Sequence, residues 1–96
     1  MNRILEIRDE ADADIEEAFH RYQFVSNELA TRFLDDLESA LEKVRRNPAH
    51  YQAVHRDLHR VLLTSFPFAV FYSFSEHTTV VYAVIHQASD PKRWQR

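Results

Sequence analysis

Not one of the chain's 96 residues is glycine, and this omission narrows both the turns and the chemistry open to it. Glycine enters positive φ without steric cost, so its absence disfavours tight two-residue type I′ turns between strands. The Gly-rich loop that cradles phosphate, the dinucleotide-binding fingerprint and the Gly-flanked serine elbow are excluded together. Cysteine is missing too, which removes disulfides, thiolate zinc sites and a cysteine nucleophile. An apolar fraction of 45% over this length suits one core, so a single domain spanning residues 1–96 is expected. The first eight residues mix charge with Ile4, Leu5 and Ile7 and do not resemble a signal peptide. No apolar run approaches the roughly 20 residues of a membrane span. The expectation is a cytoplasmic protein without a membrane partner.

Charge is unevenly distributed. Residues 1–48 carry seven Lys/Arg against twelve Asp/Glu, whereas residues 49–96 carry five against three. A protein that grips nucleic acid through phosphates needs a concentrated basic face. A net charge of -3 with no dominant basic run therefore disfavours direct nucleic-acid binding.

Periodicity divides the chain into an extended start, two helices and a β-rich end. Arg3 to Arg8 read as a short strand with Leu5 and Ile7 on one face. The acidic run Asp9, Glu10, Asp12 and Asp14 suits a helix start, where exposed N–H groups and the macrodipole favour anions. Ala11, Ile15, Ala18 and Tyr22 then recur at helical spacing, with Phe19 widening the stripe, to an end near Val25. Ser26 is the expected N-cap of a second helix with Leu29, Phe33, Leu37, Ala40 and Val44 on one face, stopped by Asn47-Pro48. So short a connection predicts an antiparallel helical hairpin.

After Pro48, a polar, His-rich loop should run to His59 and end in a short strand at Arg60–Thr64. Two β-prone stretches follow, Phe68–Phe74 and Thr78–Gln87, joined by a turn at Ser75, Glu76 and His77. Strict alternation places Phe68, Val70, Tyr72 and Phe74 on one face of the first. In the second it groups Val80, Tyr82, Val84 and His86 opposite Val81, Ala83 and Ile85. Both strands are apolar on nearly both faces, so the helices should cover one side and the C-terminal segment or a partner chain the other. The predicted class is α+β, in the order β-α-α-β-β-β, with the helices packed on one face of a three-stranded antiparallel sheet.

Few residues suggest chemistry. His55 and His59 would share a metal only on a helix, since an extended chain separates them by about 13 Å; no metal site is expected. Ser65, Ser73 or Ser89 with His86 and Asp90 provide the residue types of a nucleophilic triad, but no local signature supports one. His86 sits at the end of a strand lined by apolar residues, either as a hydrogen-bonded core histidine or as a functional group. The tail Asp90-Pro91-Lys92-Arg93-Trp94-Gln95-Arg96 joins three cations to the chain's one tryptophan, a composition that suits either an interface or a fold-back over a sheet edge.

A further pattern spans nearly the whole chain. Ala11 with Asp14 and Ile15 opens the first helix, Tyr22 lies near its end and Arg32-Phe33 in the second, which Asn47-Pro48 closes. Arg60-Val61-Leu62, then Phe66-Pro67-Phe68 with Val70 and Tyr72, and Val84-Ile85-His86 followed by Asp90-Pro91 and Trp94 complete it. In order and spacing it resembles the RelE/ParE toxins of bacterial toxin–antitoxin modules, particularly the ParE-like, plasmid-stabilisation branch. The resemblance implies a small cytoplasmic toxin held inactive by a cognate antitoxin.

The family's RelE-like branch cleaves messenger RNA on the ribosome, where strand-borne cations stabilise charge in the transition state. Where that branch carries arginine, this chain has Ala69 and Ser89; a second early cationic position falls on Leu62, and only Arg60 is retained. The ParE-like branch poisons DNA gyrase without catalysis of its own. The resemblance therefore implies a non-enzymatic gyrase inhibitor, with no catalytic residues and no cofactor. Its implied target-facing surface is Arg60 with Lys92, Arg93, Trp94 and Arg96. An antitoxin is expected to meet the sheet at Phe68, Val70, Tyr72 and Tyr82. The alternatives are a ribosome-dependent endoribonuclease and a non-toxic antitoxin-binding module, the latter because Ser89 stands where similar members have arginine before Asp-Pro.

Overall fold

The computed structural model describes residues 3–89. In chain order it forms strand β1 (Ile4–Ile7), helix α1 (Asp9–Val25), helix α2 (Asn27–Arg46), a 3-10 turn (Pro48–His50), and strands β2 (Ala53–His55), β3 (Leu58–Leu62), β4 (Phe68–Phe74) and β5 (Thr78–His86). The sheet therefore has five strands rather than the expected three, in the order β1-β5-β4-β3-β2. β1 joins it parallel to β5, and every other pairing is antiparallel.

The helical hairpin turns on one residue. The Ser26 backbone N–H donates to the Tyr22 carbonyl and closes α1, while its hydroxyl accepts from the Leu29 N–H at 3.0 Å and opens α2. One residue thus satisfies orphan groups of both helix ends. At the other end Asn47 closes α2, and Pro48 opens the 3-10 turn, where its missing N–H costs nothing. Ala11, Ala18, Phe33, Leu37, Ala40 and Val44 face the sheet and are buried against Val61, Phe68, Val70, Tyr72, Val81 and Val84. Tyr22, Phe33, Phe66 and Phe68 form an aromatic knot with centroid separations of 5.0–6.1 Å, mostly edge to face.

The segment expected to be a loop up to His59 instead contains a hairpin, β2 and β3, joined through Arg56-Asp57. Arg56 has φ 53°, the only positive φ among the described residues. A tight turn thus forms without glycine, at the steric cost of a left-handed arginine. The β4–β5 connection, by contrast, uses the three residues Ser75–His77, as expected. Arg3, the residue before β1, clamps it: its guanidinium donates to the carbonyls of Ser75, Glu76 and Thr78 at 2.7, 2.5 and 3.2 Å.

β5 also departs from strict alternation. Tyr72 lies opposite Val81 but Phe71 opposite Ala83, so Tyr82 is an extra residue in a β-bulge. Val81 faces the helices with Val84, whereas Ala83 and Ile85 join Ala69 and Phe71 on the far side of the sheet. The bulge therefore splits both sets of residues that alternation had grouped. Val54 and Leu58 pack against the far-side cluster.

Candidate functional surfaces

The two faces of the sheet separate the residues the sequence singles out. Arg60 pairs with Phe71 and lies, exposed, on the far face. Its neighbours there are apolar, because Leu62, Ala69 and Ile85 stand side by side across three strands. His86 is opposite Phe68, on the helix side, and its ring meets the Phe68 edge with centroids 5.6 Å apart. The sheet therefore divides Arg60 from His86. Lys92, Arg93, Trp94 and Arg96 lie outside the described residues, as does Asp90.

His86 is exposed, and its Nδ1 accepts from the Ala88 N–H at 3.0 Å, so in the neutral ring the proton sits on Nε2. It borders an open cleft of about 270 Å³, solvent included, with Asp14, Glu17, Ala18 and Arg21 of α1 and with Phe68, Val84 and Ile85. Glu17 and Arg21 are paired at 3.0 Å, one helical turn apart.

Asp14 differs from the rest of its acidic run. Asp9, Glu10 and Asp12 are exposed in the first turns of α1, but Asp14 is buried and accepts the Val84 N–H at 3.1 Å. The reason lies in the sheet. β1 pairs with β5 only as far as Val81, and beyond that point α1 packs where a strand would have been. Asp14 takes up a backbone donor that β1 does not reach. The helix-start reading thus fails for this one carboxylate, and a signal existed: residue 14 lies on the same helical face as Ala11 and Ala18.

Three of the four residues expected to meet an antitoxin belong to the interior. Phe68 is 5% exposed and Val70 and Tyr72 are 0% exposed, all facing the helices. Tyr72 donates its hydroxyl to the Pro48 carbonyl at 2.6 Å and stacks on His59, whose Nδ1 lies 2.8 Å from the Tyr51 carbonyl. Burial, reinforced by the nearby Tyr51, pushes the Tyr72 phenol up to about 12. None of the three offers its side chain to a partner while the hairpin is docked. Tyr82 is half-buried on the far face; its hydroxyl accepts from Ser73 at 3.0 Å and Arg8 lies over its ring at 5.6 Å.

Comparison with known proteins agrees with this architecture. Residues 5–91 match the sequence model of a family described as the ParE toxin of the type II toxin–antitoxin system parDE. Among solved structures, the chain is similar to one from the chromosomal ParDE toxin–antitoxin system of P. aeruginosa, with a TM-score of 0.76. The match is 14% identical and covers 88% of this chain and 95% of that one. No curated protein matches.

Proposed function

Because the chain belongs to the ParE toxin family, we propose that it is the toxin of a type II toxin–antitoxin pair that binds and inhibits DNA gyrase, and that a cognate antitoxin neutralises it. The observation that favours binding over catalysis is the apolar row Leu62–Ala69–Ile85 on the far face beside Arg60. RNA cleavage by 2′-OH attack demands charge stabilisation and proton transfer at one point. Here the one cation retained on the strands has apolar neighbours, and the histidine stands on the other side of the sheet. The target-facing surface in this reading is Arg60 together with the tail residues Lys92, Arg93, Trp94 and Arg96. The antitoxin would meet the far face around Tyr82, the half-buried member of the set expected for it and the one on that face.

The test is induction of this chain alone in bacteria, with DNA and protein synthesis followed by pulse-labelling, and a supercoiling assay with purified gyrase. The expected result is early loss of DNA synthesis and inhibited supercoiling, abolished by Trp94→Ala at unchanged melting temperature and relieved by the antitoxin. An early loss of protein synthesis with supercoiling intact would establish the ribonuclease instead. No loss of either would leave a non-toxic antitoxin-binding module, the reading that Ser89 favours.

A further inference from the structure

The β2 edge of the sheet combines two properties, of whose residues Arg60 alone is assigned a role above. Within residues 43–60 the chain has five Lys/Arg (Lys43, Arg45, Arg46, Arg56 and Arg60) and one carboxylate, Asp57. The remaining residues carry seven Lys/Arg against fourteen Asp/Glu. Arg56 lies in the turn that ends β2 and Arg60 on the neighbouring β3, and the end of α2, with Lys43 and Arg46, leads through the 3-10 turn into β2. Arg45 is taken up by Glu42, whose carboxyl its hydrogen bond holds below the usual range. Lys43, Arg46, Arg56 and Arg60 have no ion-pair partner among the described residues.

The second property is backbone hydrogen-bonding capacity. Among the described residues β2 is an outer strand, with β3 as its one neighbour. The Arg60 N–H donates to the Gln52 carbonyl at 3.0 Å, and Ala53 stands opposite His59. In an antiparallel ladder this turns the N–H and C=O of Ala53 away from β3. Ala53, His55 and Arg56 are exposed. An outer strand flanked by cations resists pairing with a second copy of itself, the usual function of charge at a sheet edge. The same charge attracts an extended chain of opposite sign.

We propose that the β2 edge is a docking site for an acidic, extended segment of a partner protein, which adds as a sixth strand. Backbone hydrogen bonds to Ala53 set its register, and Arg46, Arg56 and Arg60 select its charge. The inference stands on the edge and its charge, whatever the chain inhibits. A nucleic acid is the less favoured occupant. A phosphate backbone offers acceptors but no donors for the Ala53 carbonyl, and a long polyanion would also meet the acidic remainder of the surface.

The test uses the full chain, isotopically labelled, and a short end-blocked peptide of alternating Glu and Val. Binding should shift and protect the Ala53 amide and weaken by about tenfold when salt rises severalfold. Ala53→Pro deletes the outward donor without touching the β3 ladder, and the exposed pair Arg56→Glu with Arg60→Glu reverses the charge. Each variant should weaken the peptide by about tenfold or more, near 1.4 kcal/mol. Equal affinity for a Lys-Val peptide, or undiminished binding by both folded variants, would overturn the proposal. So would a single-stranded oligonucleotide of equal charge that binds the same residues more tightly than the peptide.

Discussion

Tyr72 provides the sharpest test of where the core ends. Its side chain is 0% exposed, donates to the Pro48 carbonyl at 2.6 Å and has a phenol pushed up to about 12 from 10.0. A phenol with a folded-state value above its unfolded value contributes stability that is fully present below pH 10 and is lost as pH rises toward 12. At 1.36 kcal/mol per unit, a shift of this size corresponds to about 1–3 kcal/mol. Tyr72→Phe removes the titration and leaves the Pro48 carbonyl without its donor, at a cost of about 1–2 kcal/mol near neutrality. Urea denaturation of both forms across neutral to strongly alkaline pH measures the two effects separately. The variant should be the less stable near pH 7, and the difference should close or reverse as the parent's phenol ionises. Parallel pH profiles, or a Tyr72 phenol that titrates near 10 in the folded chain, would refute the buried hydrogen-bonded role. As an interior residue, Tyr72 should also bind antitoxin equally well as Tyr or Phe once both are folded, which a pull-down or calorimetric titration reads.

Further consequences follow from single contacts. Asp14→Ala strands the buried Val84 N–H and should cost about 2–4 kcal/mol by denaturant unfolding, whereas Asp12→Ala, on the exposed face, should change stability by less than about 0.5 kcal/mol. Arg56→Gly relieves the left-handed residue of the β2–β3 turn and should raise stability by about 0.5–1 kcal/mol, with weakened binding of the acidic peptide as the cost. Asp36 accepts the N–H groups of Thr64, Ser65 and Phe66 at 3.2, 2.8 and 3.0 Å. Asp36→Ala should therefore speed amide exchange in the loop before β4, with exchange in β4 itself little altered.

What the sequence disclosed depended on whether local chemistry carried the signal. The hairpin of helices was legible because its stripe, its Ser26 cap and its Asn47-Pro48 stop are each written within a few residues of where they act. β4 was legible because it alternates without interruption. The β2–β3 hairpin was not, since the usual marker of a tight turn is glycine and this chain uses Arg56 instead. Nor was the bulge at Tyr82: an inserted residue leaves no trace in a run that is apolar at almost every position, and only the partner strand reveals the slip.

The bulge is what divides Arg60 from His86. The bulge turns Ala83 and Ile85 to the far face and keeps Val84 and His86 on the helix side, so the histidine that shares a strand with the far-face row cannot approach Arg60. Were β5 regular from Thr78 onward, Val81 would share a face with Ile85, and His86 would share the far face with Tyr82. The bulge thus decides between a surface that brings a cation and an imidazole together and one that keeps them apart. Deletion of the bulged residue, Tyr82, would restore regular alternation with its neighbours on their present faces, Val81 and Val84 toward the helices and Ala83 and Ile85 away from them. The separation of Arg60 from His86 is accordingly built into the core, and no surface substitution near either residue would remove it.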